Sequence, residues 1–330
     1  MNQTRNFSLH LYRNEGRATA IITLETFLLV WGIYLLISLI YYVATKLRSL
    51  PDCIITQHCQ RRKRVLFGLV VCFAVIVVSK LVLVQCMYYF PTHLATGSVC
   101  ATFALVFQVL NSIGHVALYL FLWLRQYTLY QEPHLRLYAT PCLLRFSYAV
   151  LAAIIMGGTA AIVTIPLSNA EANFNVIEGT NECVLIMEDQ LNSVVIYAGY
   201  SLAVAMQICT LSLFIHILRR YLQSINVNVN LKAAGFRSNK RLHRLLRNCT
   251  MAAAVSAIAD VIAVAMRVTY LQTSPESIFY AIAVTDSLIS LVCTIFCFSN
   301  WKELLWPWVR SQNVDRQVRR DSRPSISSWL

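Results

Sequence analysis

Seven long apolar stretches occupy most of this chain of 330 residues. Each has about 20 residues or more, which is the length that an α-helix needs to cross a bilayer. Charged residues make up 13% of the chain, against about 25% in soluble domains. We therefore predict an all-α membrane protein, a seven-transmembrane helix bundle with spans near residues 18–44, 65–90, 97–124, 142–167, 192–217, 249–271 and 277–299.

The positive charge is concentrated on one side of these spans. Most of the 28 Lys and Arg residues lie in the connections after spans one, three and five and in the C-terminal tail, and the opposite loops contain none. Because basic loops stay in the cytoplasm, we expect an extracellular N-terminus and a cytoplasmic C-terminus at the plasma membrane. The net charge of +13 then reflects topology and contact with anionic membrane lipid, and no nucleic-acid partner is expected.

The segments outside the spans are short. Trp301, Leu304, Leu305 and Trp308 have the i, i+3, i+4, i+7 spacing of one helix face, which predicts a short amphipathic helix on the inner membrane surface. Asn2 and Asn6 begin glycosylation sequons on the side expected to be outside. The predicted organisation is an extracellular tail (1–17), a seven-transmembrane domain (18–300), a juxtamembrane amphipathic helix (301–310) and a disordered cytoplasmic tail (311–330).

Two cysteines fall on the expected outer side. Cys100 opens span three, and Cys183 lies in the long loop after span four. In an oxidising compartment they are the natural disulfide pair, and the alternative is two free thiols. Cys53, His58 and Cys59 in the first inner loop are too few for a four-ligand zinc site, so we predict no metal and no cofactor.

The arrangement resembles the rhodopsin-like (class A) G-protein-coupled receptors. In that family a Cys opens span three and an Arg closes it 25 residues later; here Arg125 follows Cys100 by 25 residues, within Leu124-Arg125-Gln126-Tyr127. Cys183 matches the loop Cys of the family. Leu124 stands where the family carries an acid, and spans five to seven contain no Pro. The resemblance implies a divergent member in which Arg125 faces a heterotrimeric G protein.

Several serines follow arginines in the C-terminal tail. Phosphate on these hydroxyls would add charge that can recruit a basic partner such as arrestin. The alternative is an ordinary flexible Ser-rich tail. The predicted phosphorylation sites are Ser322, Ser325, Ser327 and Ser328.

Ionisable residues inside the spans are costly and therefore informative. At a rise of about 1.5 Å per residue, three of them, Lys80, Asp260 and Asp286, fall at similar depth. Our hypothesis is that Lys80 or Arg267 pairs with Asp286 or Asp260 across helices. Such a pair is either a structural lock or a switching and ligand-contact site; the alternative is that these side chains snorkel to the interface or face lipid. The full set of candidates is Glu25, Lys80, His115, Asp260, Arg267 and Asp286.

Polar and aromatic residues in the outer half of the bundle are candidates for a ligand pocket. A few polar groups in an apolar wall suit a small molecule, although Tyr and Asn also serve in ordinary helix packing. The candidates are Gln108, Asn111, Tyr197, Tyr200, Arg267, Tyr270 and Asp286.

The pattern as a whole favours a cell-surface receptor that transmits an unidentified extracellular ligand to a heterotrimeric G protein. The alternative is a seven-helix transporter, although transporters often show internal repeats and broken helices, and no repeat is visible here. An enzyme is not expected, because no nucleophile or metal motif accompanies the membrane carboxylates.

Overall fold

The structure is a computed structural model in which helices predominate. Its helices are α1 (Asn2–Tyr42, continued by a π-helical turn Val43–Leu47), α2 (Gln57–Tyr89), α3 (Gly97–Tyr130), α4 (Pro141–Ala170), α5 (Val204–His216), α6 (Phe236–Tyr270), α7 (Glu276–Phe296) and α8 (Trp301–Leu305). Strands β1 (Asn173–Val176) and β2 (Cys183–Ile186) form an antiparallel hairpin in which Val176 pairs with Cys183. The residues described are 2–47, 57–89, 97–131, 140–170, 173–176, 183–186, 201–202, 204–216, 219–220, 236–270, 276–298 and 301–306.

Within these residues, 6 helices are long and apolar enough to cross a membrane. They correspond to predicted spans one, two, three, four, six and seven, and this confirms the prediction of an α-helical, multi-pass membrane protein. Predicted span five covers 192–217, of which the structure describes only part, including the apolar helix α5. A seventh crossing therefore stays a prediction. The described segments that could cross are Thr19–Thr45, Arg64–Cys86, Ala101–Tyr130, Pro141–Thr164, Leu245–Met266 and Phe279–Phe296.

Helix α7 lies at the centre of the packing. It contacts α1, α2, α3 and α6, whereas α4 contacts α3 along one side. The hairpin touches two of the same helices, with β1 on α3 and β2 on α7. We call the end of the bundle where α3 and α7 begin the hairpin end, and the end where they finish the α8 end.

Helix α4 begins with a well-defined cap. The hydroxyl of Thr140 accepts a hydrogen bond from the backbone N–H of Leu143 at 3.4 Å, and Pro141 occupies the first helical position. Thr satisfies one of the N–H groups that a helix start leaves without an intrahelical partner. Pro fits there because its fixed φ is helical and its missing N–H is not needed.

Glycines allow close approach of neighbouring helices. A Cβ placed on Gly32 of α1 would lie 3.0 Å from Leu81 of α2, and a Cβ on Gly158 of α4 would clash with the Val116 side chain of α3. Small residues at such contacts let the helix backbones pack tightly in membranes.

Helix α8 is fixed to the bundle by two contacts. The Tyr34 hydroxyl of α1 donates to the Leu305 carbonyl at 2.6 Å, and the rings of Phe296 and Trp301 lie 4.6 Å apart. Leu304 is buried beside them. The described helix is Trp301–Leu305. Residues 307–330 lie outside the described part of the chain, so the predicted extent 301–310 stays a prediction.

Candidate functional site

A lysine lies in the interior of the bundle. Lys80 of α2 is 1% exposed, and its Nζ donates to Asn111 Oδ1 of α3 at 2.8 Å and to Ser287 Oγ of α7. The Phe107 ring lies 5.7 Å from the same nitrogen. Since α2 contacts both α3 and α7, one ammonium group connects three helices. We call Lys80, Asn111 and Ser287 the central junction.

The hydrogen bonds of Lys80 in the central junction can be compared with its predicted ion pair with an aspartate. Asp286 is buried directly before Ser287, and its Oδ1 has no hydrogen-bond partner in the described structure. Lys80 donates its hydrogen bonds in the central junction to neutral oxygens, on Asn111 and Ser287. A Lys80–Asp286 pair therefore stays a prediction; the two residues lie on α2 and α7, which contact each other.

The third predicted charge, Asp260 of α6, has a partner that sequence reasoning missed. The Gln207 side-chain amide of α5 donates to Asp260 Oδ2, and both residues are buried. One turn away on α6, Ser256 shares a hydrogen bond of 2.9 Å with Ser290 of α7. A Gln and a Ser in apolar spans were the available signals, because buried polar side chains need partners.

A second junction lies at the α8 end, around Arg125. Its Nη2 donates to the Cys297 carbonyl at 2.9 Å, and the Cys249 thiol donates to the same oxygen at 3.4 Å. The last carbonyls of a helix have no intrahelical partner and carry partial negative charge. A guanidinium group at the end of α7 is therefore favourable. We call Arg125, Cys249 and Cys297 the end junction.

Aromatic rings surround the end junction. The Phe298 ring lies 5.6 Å from the Arg125 Cζ. It stacks on Phe67 of α2 at 4.5 Å and tilts against Phe121 of α3 at 5.8 Å. The Nε of Arg125 is buried and makes no hydrogen bond in the described structure. The end junction thus joins α3, α6 and α7, with α2 reached through the rings, and it holds its cation by few bonds.

Only part of the predicted ligand pocket lies within the described residues. Asn111 belongs to the central junction, and Gln108 is half-buried one turn before it on α3. Tyr197 and Tyr200 lie outside the described residues, as do the side chains of Arg267 and Tyr270. The pocket therefore stays a prediction.

The side chains at the remaining predicted sites also lie outside the described part of the structure. Backbone is described at Cys100 and Cys183, but their side chains are not, so the disulfide is untested. The same holds for the side chains at the two sequons, and the tail serines lie beyond the described residues altogether. The sites concerned are Asn2, Asn6, Ser322, Ser325, Ser327 and Ser328.

Within the described residues, no group of 3 or more His, Cys, Asp or Glu side chains could hold a metal ion. No protein-family model matches this chain, and no curated protein matches it either. Among the described residues, the central junction and the end junction each connect three helices through side-chain hydrogen bonds.

Proposed function

We propose that this chain is a cell-surface receptor of the rhodopsin-like (class A) G-protein-coupled type. An extracellular ligand would bind at the hairpin end, and a heterotrimeric G protein would bind at the α8 end. The proposal includes a seventh crossing formed by span five, an extracellular N-terminus and a cytoplasmic C-terminus at the plasma membrane. The single observation that carries it is the contact of Arg125 with the end of α7.

This contact has the properties that a two-state bundle needs. A hydrogen bond from a charged donor contributes about 1.5–3 kcal/mol, so the end junction holds the helices together but can be opened. A ligand shifts such an equilibrium by its difference in affinity for the two states, and a tenfold difference corresponds to about 1.4 kcal/mol. Opening would expose Arg125 at the face where a G protein docks.

The central junction supports the same proposal. It lies between the two ends and connects α2, α3 and α7 through Lys80. A change in the position of α7 at the hairpin end would reach Cys297, because both junctions include residues of that helix or of the turn that ends it. Phosphorylation of the tail serines and binding of arrestin belong to the proposal as further steps.

The experiment measures nucleotide exchange on a panel of G proteins in membranes that contain the chain. The variants are Arg125→Ala and, as a matched control, Arg145→Ala, since Arg145 is an exposed arginine near the start of α4 at the same end. We expect Arg125→Ala to reduce exchange at least about tenfold, equivalent to about 1.4 kcal/mol of coupling, and Arg145→Ala to retain it.

Two outcomes would reject the proposal. Exchange that is equal in wild type and Arg125→Ala removes the role of the end junction. Solute uptake without exchange on any G protein favours the transporter, in which the buried polar residues would serve a substrate path.

A further inference from the structure

Glu25 of α1 is a buried carboxylate that neither junction uses. It is 1% exposed, and neither Oε1 nor Oε2 makes a hydrogen bond in the described structure. Helix α1 packs against α2 and α7, so Glu25 lies within the bundle. Without a partner, the ionised form of a buried carboxyl group costs several kcal/mol, so ionised Glu25 requires a cation beside it.

The position of Glu25 follows from the contact at Gly32. Gly32 meets Leu81 of α2 and Leu288 of α7, and Glu25 precedes it by seven residues, about 10 Å nearer the hairpin end. Lys80 adjoins Leu81 and therefore lies about 10 Å deeper than Glu25. Its Nζ is directed to Asn111 and Ser287.

The remaining described cations lie too far away to pair with Glu25. Apart from Lys80, all Lys and Arg side chains that the structure describes are at the α8 end; they are Arg64, Arg125, Arg145, Arg219, Arg220, Arg247 and Lys302. The described part of the chain thus supplies no cation at the depth of Glu25.

The described groups that helix spacing places at the depth of Glu25 include two apolar side chains of α7 and one hydrogen-bonded pair. Ala281 and Val284 precede Leu288 by seven and four residues, so they share its face of α7, and both are buried. On α2, the Gln85 amide donates to Thr26 Oγ1 at 3.1 Å. A carboxylate in such a setting selects a positively charged group with an apolar body.

The sequence that contains the two strands also favours a cation by its composition. Residues 168–191 contain five acidic residues and no Lys or Arg. Clusters of one sign raise the local concentration of oppositely charged ligands. The acidic residues are Glu171, Glu178, Glu182, Glu188 and Asp189.

We propose that Glu25 is the counter-ion for a protonated amine, so that the ligand of this receptor is an organic cation with an apolar body. The ligand would enter from the hairpin end and place its ammonium group against the carboxylate. The assignment of this cation as the signalling ligand rests on the proposed receptor function.

The test uses the purified full-length chain at pH 7 with phenethylamine as the probe and 2-phenylethanol as its uncharged counterpart. Tryptophan fluorescence reports the thermal midpoint. We expect saturating phenethylamine to raise Tm by about 4 °C and 2-phenylethanol to leave it unchanged. Glu25→Gln should abolish the shift. Glu303→Gln is the matched control, because Glu303 lies in α8 at the opposite end, and it should retain the shift.

The proposal also predicts the Tm of Glu25→Gln in the absence of phenethylamine. Because Glu25→Gln replaces an unpaired carboxylate by a neutral amide of the same shape, its Tm should equal or exceed that of wild type. A clearly lower Tm, or failure to fold, would mean that the carboxylate has a structural partner, and it overturns the proposal. No shift with phenethylamine, or equal shifts in wild type and Glu25→Gln, overturns it as well.

The outcomes separate this site from the receptor function. A Glu25-dependent shift without nucleotide exchange keeps the amine site and rejects the receptor. If nucleotide exchange is lost in Arg125→Ala but phenethylamine does not shift Tm, the receptor function is retained and the amine site at Glu25 is rejected.

Discussion

Helices α7 and α4 are both apolar enough to cross a membrane, yet they differ in how they are held. Of the span in α7, 61% is buried inside the molecule, against 17% in α4. Ser287 and Ser290 of α7 bond to other helices. In α4, the hydroxyls of Thr159 and Thr164 donate hydrogen bonds to backbone carbonyls of the same helix.

The difference indicates two ways to fix a helix in a membrane. Helix α7 depends on directional polar bonds to α2 and α6 and on the end junction. Helix α4 presents most of its surface outward. It is held to α3 by close steric contact at Gly158 and by one hydrogen bond, in which the Trp123 indole N–H of α3 donates to the Ser147 carbonyl at 2.9 Å. Because bistable contacts transmit conformational change, we expect functional motion at α7 and a static role for α4.

The largest effect should come from the bond between Lys80 and α7. We expect Lys80→Met to lower the free energy of unfolding by about 3 kcal/mol, since Asn111 and Ser287 lose a charged donor. A double-mutant cycle with Ser287→Ala should give a coupling energy of about 1.5 kcal/mol. Lys302→Met is the control, because Lys302 is exposed on α8, and it should change stability by less than about 0.5 kcal/mol. Zero coupling in the cycle would contradict the role of Ser287.

The next effect tests the steric contact of α4. Gly158→Ala should destabilise by about 2 kcal/mol, because the new Cβ clashes with Val116, whose β-branched side chain is stiff in a helix. Thermal denaturation in detergent measures the change. Gly68→Ala is the matched control, as nothing lies within 4 Å of a Cβ there, and it should be neutral or stabilising by up to about 1 kcal/mol. If Gly158→Ala were as neutral as Gly68→Ala, α3 and α4 would be able to move apart at that contact without loss of stability.

The smallest effect concerns the serine pair between α6 and α7. A double-mutant cycle of Ser256→Ala and Ser290→Ala should give a coupling energy of about 0.6 kcal/mol, which is the average for such bonds within membranes. Ser212→Ala is a suitable control, because its hydroxyl bonds to the Ile208 carbonyl of its own helix at 2.7 Å. A coupling energy larger than that between Lys80 and Ser287 would mean that α7 is held mainly by α6 rather than by α2.

The positions of most spans could be predicted from the sequence, since length and hydropathy decide them. The predicted first span begins at 18, close to the apolar segment Thr19–Thr45, but the sequence did not show that helix α1 itself begins at Asn2. The first 17 residues are polar, so hydropathy gives no signal for a helix that continues beyond the apolar segment. The strands Asn173–Val176 and Cys183–Ile186 were also missed; they contact α3 and α7, and contacts between distant parts of the chain are not visible in the local sequence.

Those residues of the candidate site that are charged could be identified from the sequence. Lys80, Asp260 and Asp286 were identified because charges are rare in spans. Two of their neutral partners, Gln207 and Ser287, were not, since they belong to residue types that also occur in ordinary packing. Arg125 was identified by its spacing from Cys100, but a partner that is a main-chain oxygen leaves no trace in the sequence.

That main-chain partner has a consequence for how the protein can change. The acceptor of Arg125 is the backbone oxygen at Cys297, which every amino acid possesses. Replacing the side chain at 297 would therefore leave the acceptor atom in place. The hydrogen bond of the guanidinium group depends on the position of the final turn of α7 and not on the side chain at residue 297. Displacement of that turn is therefore the direct way to break the bond.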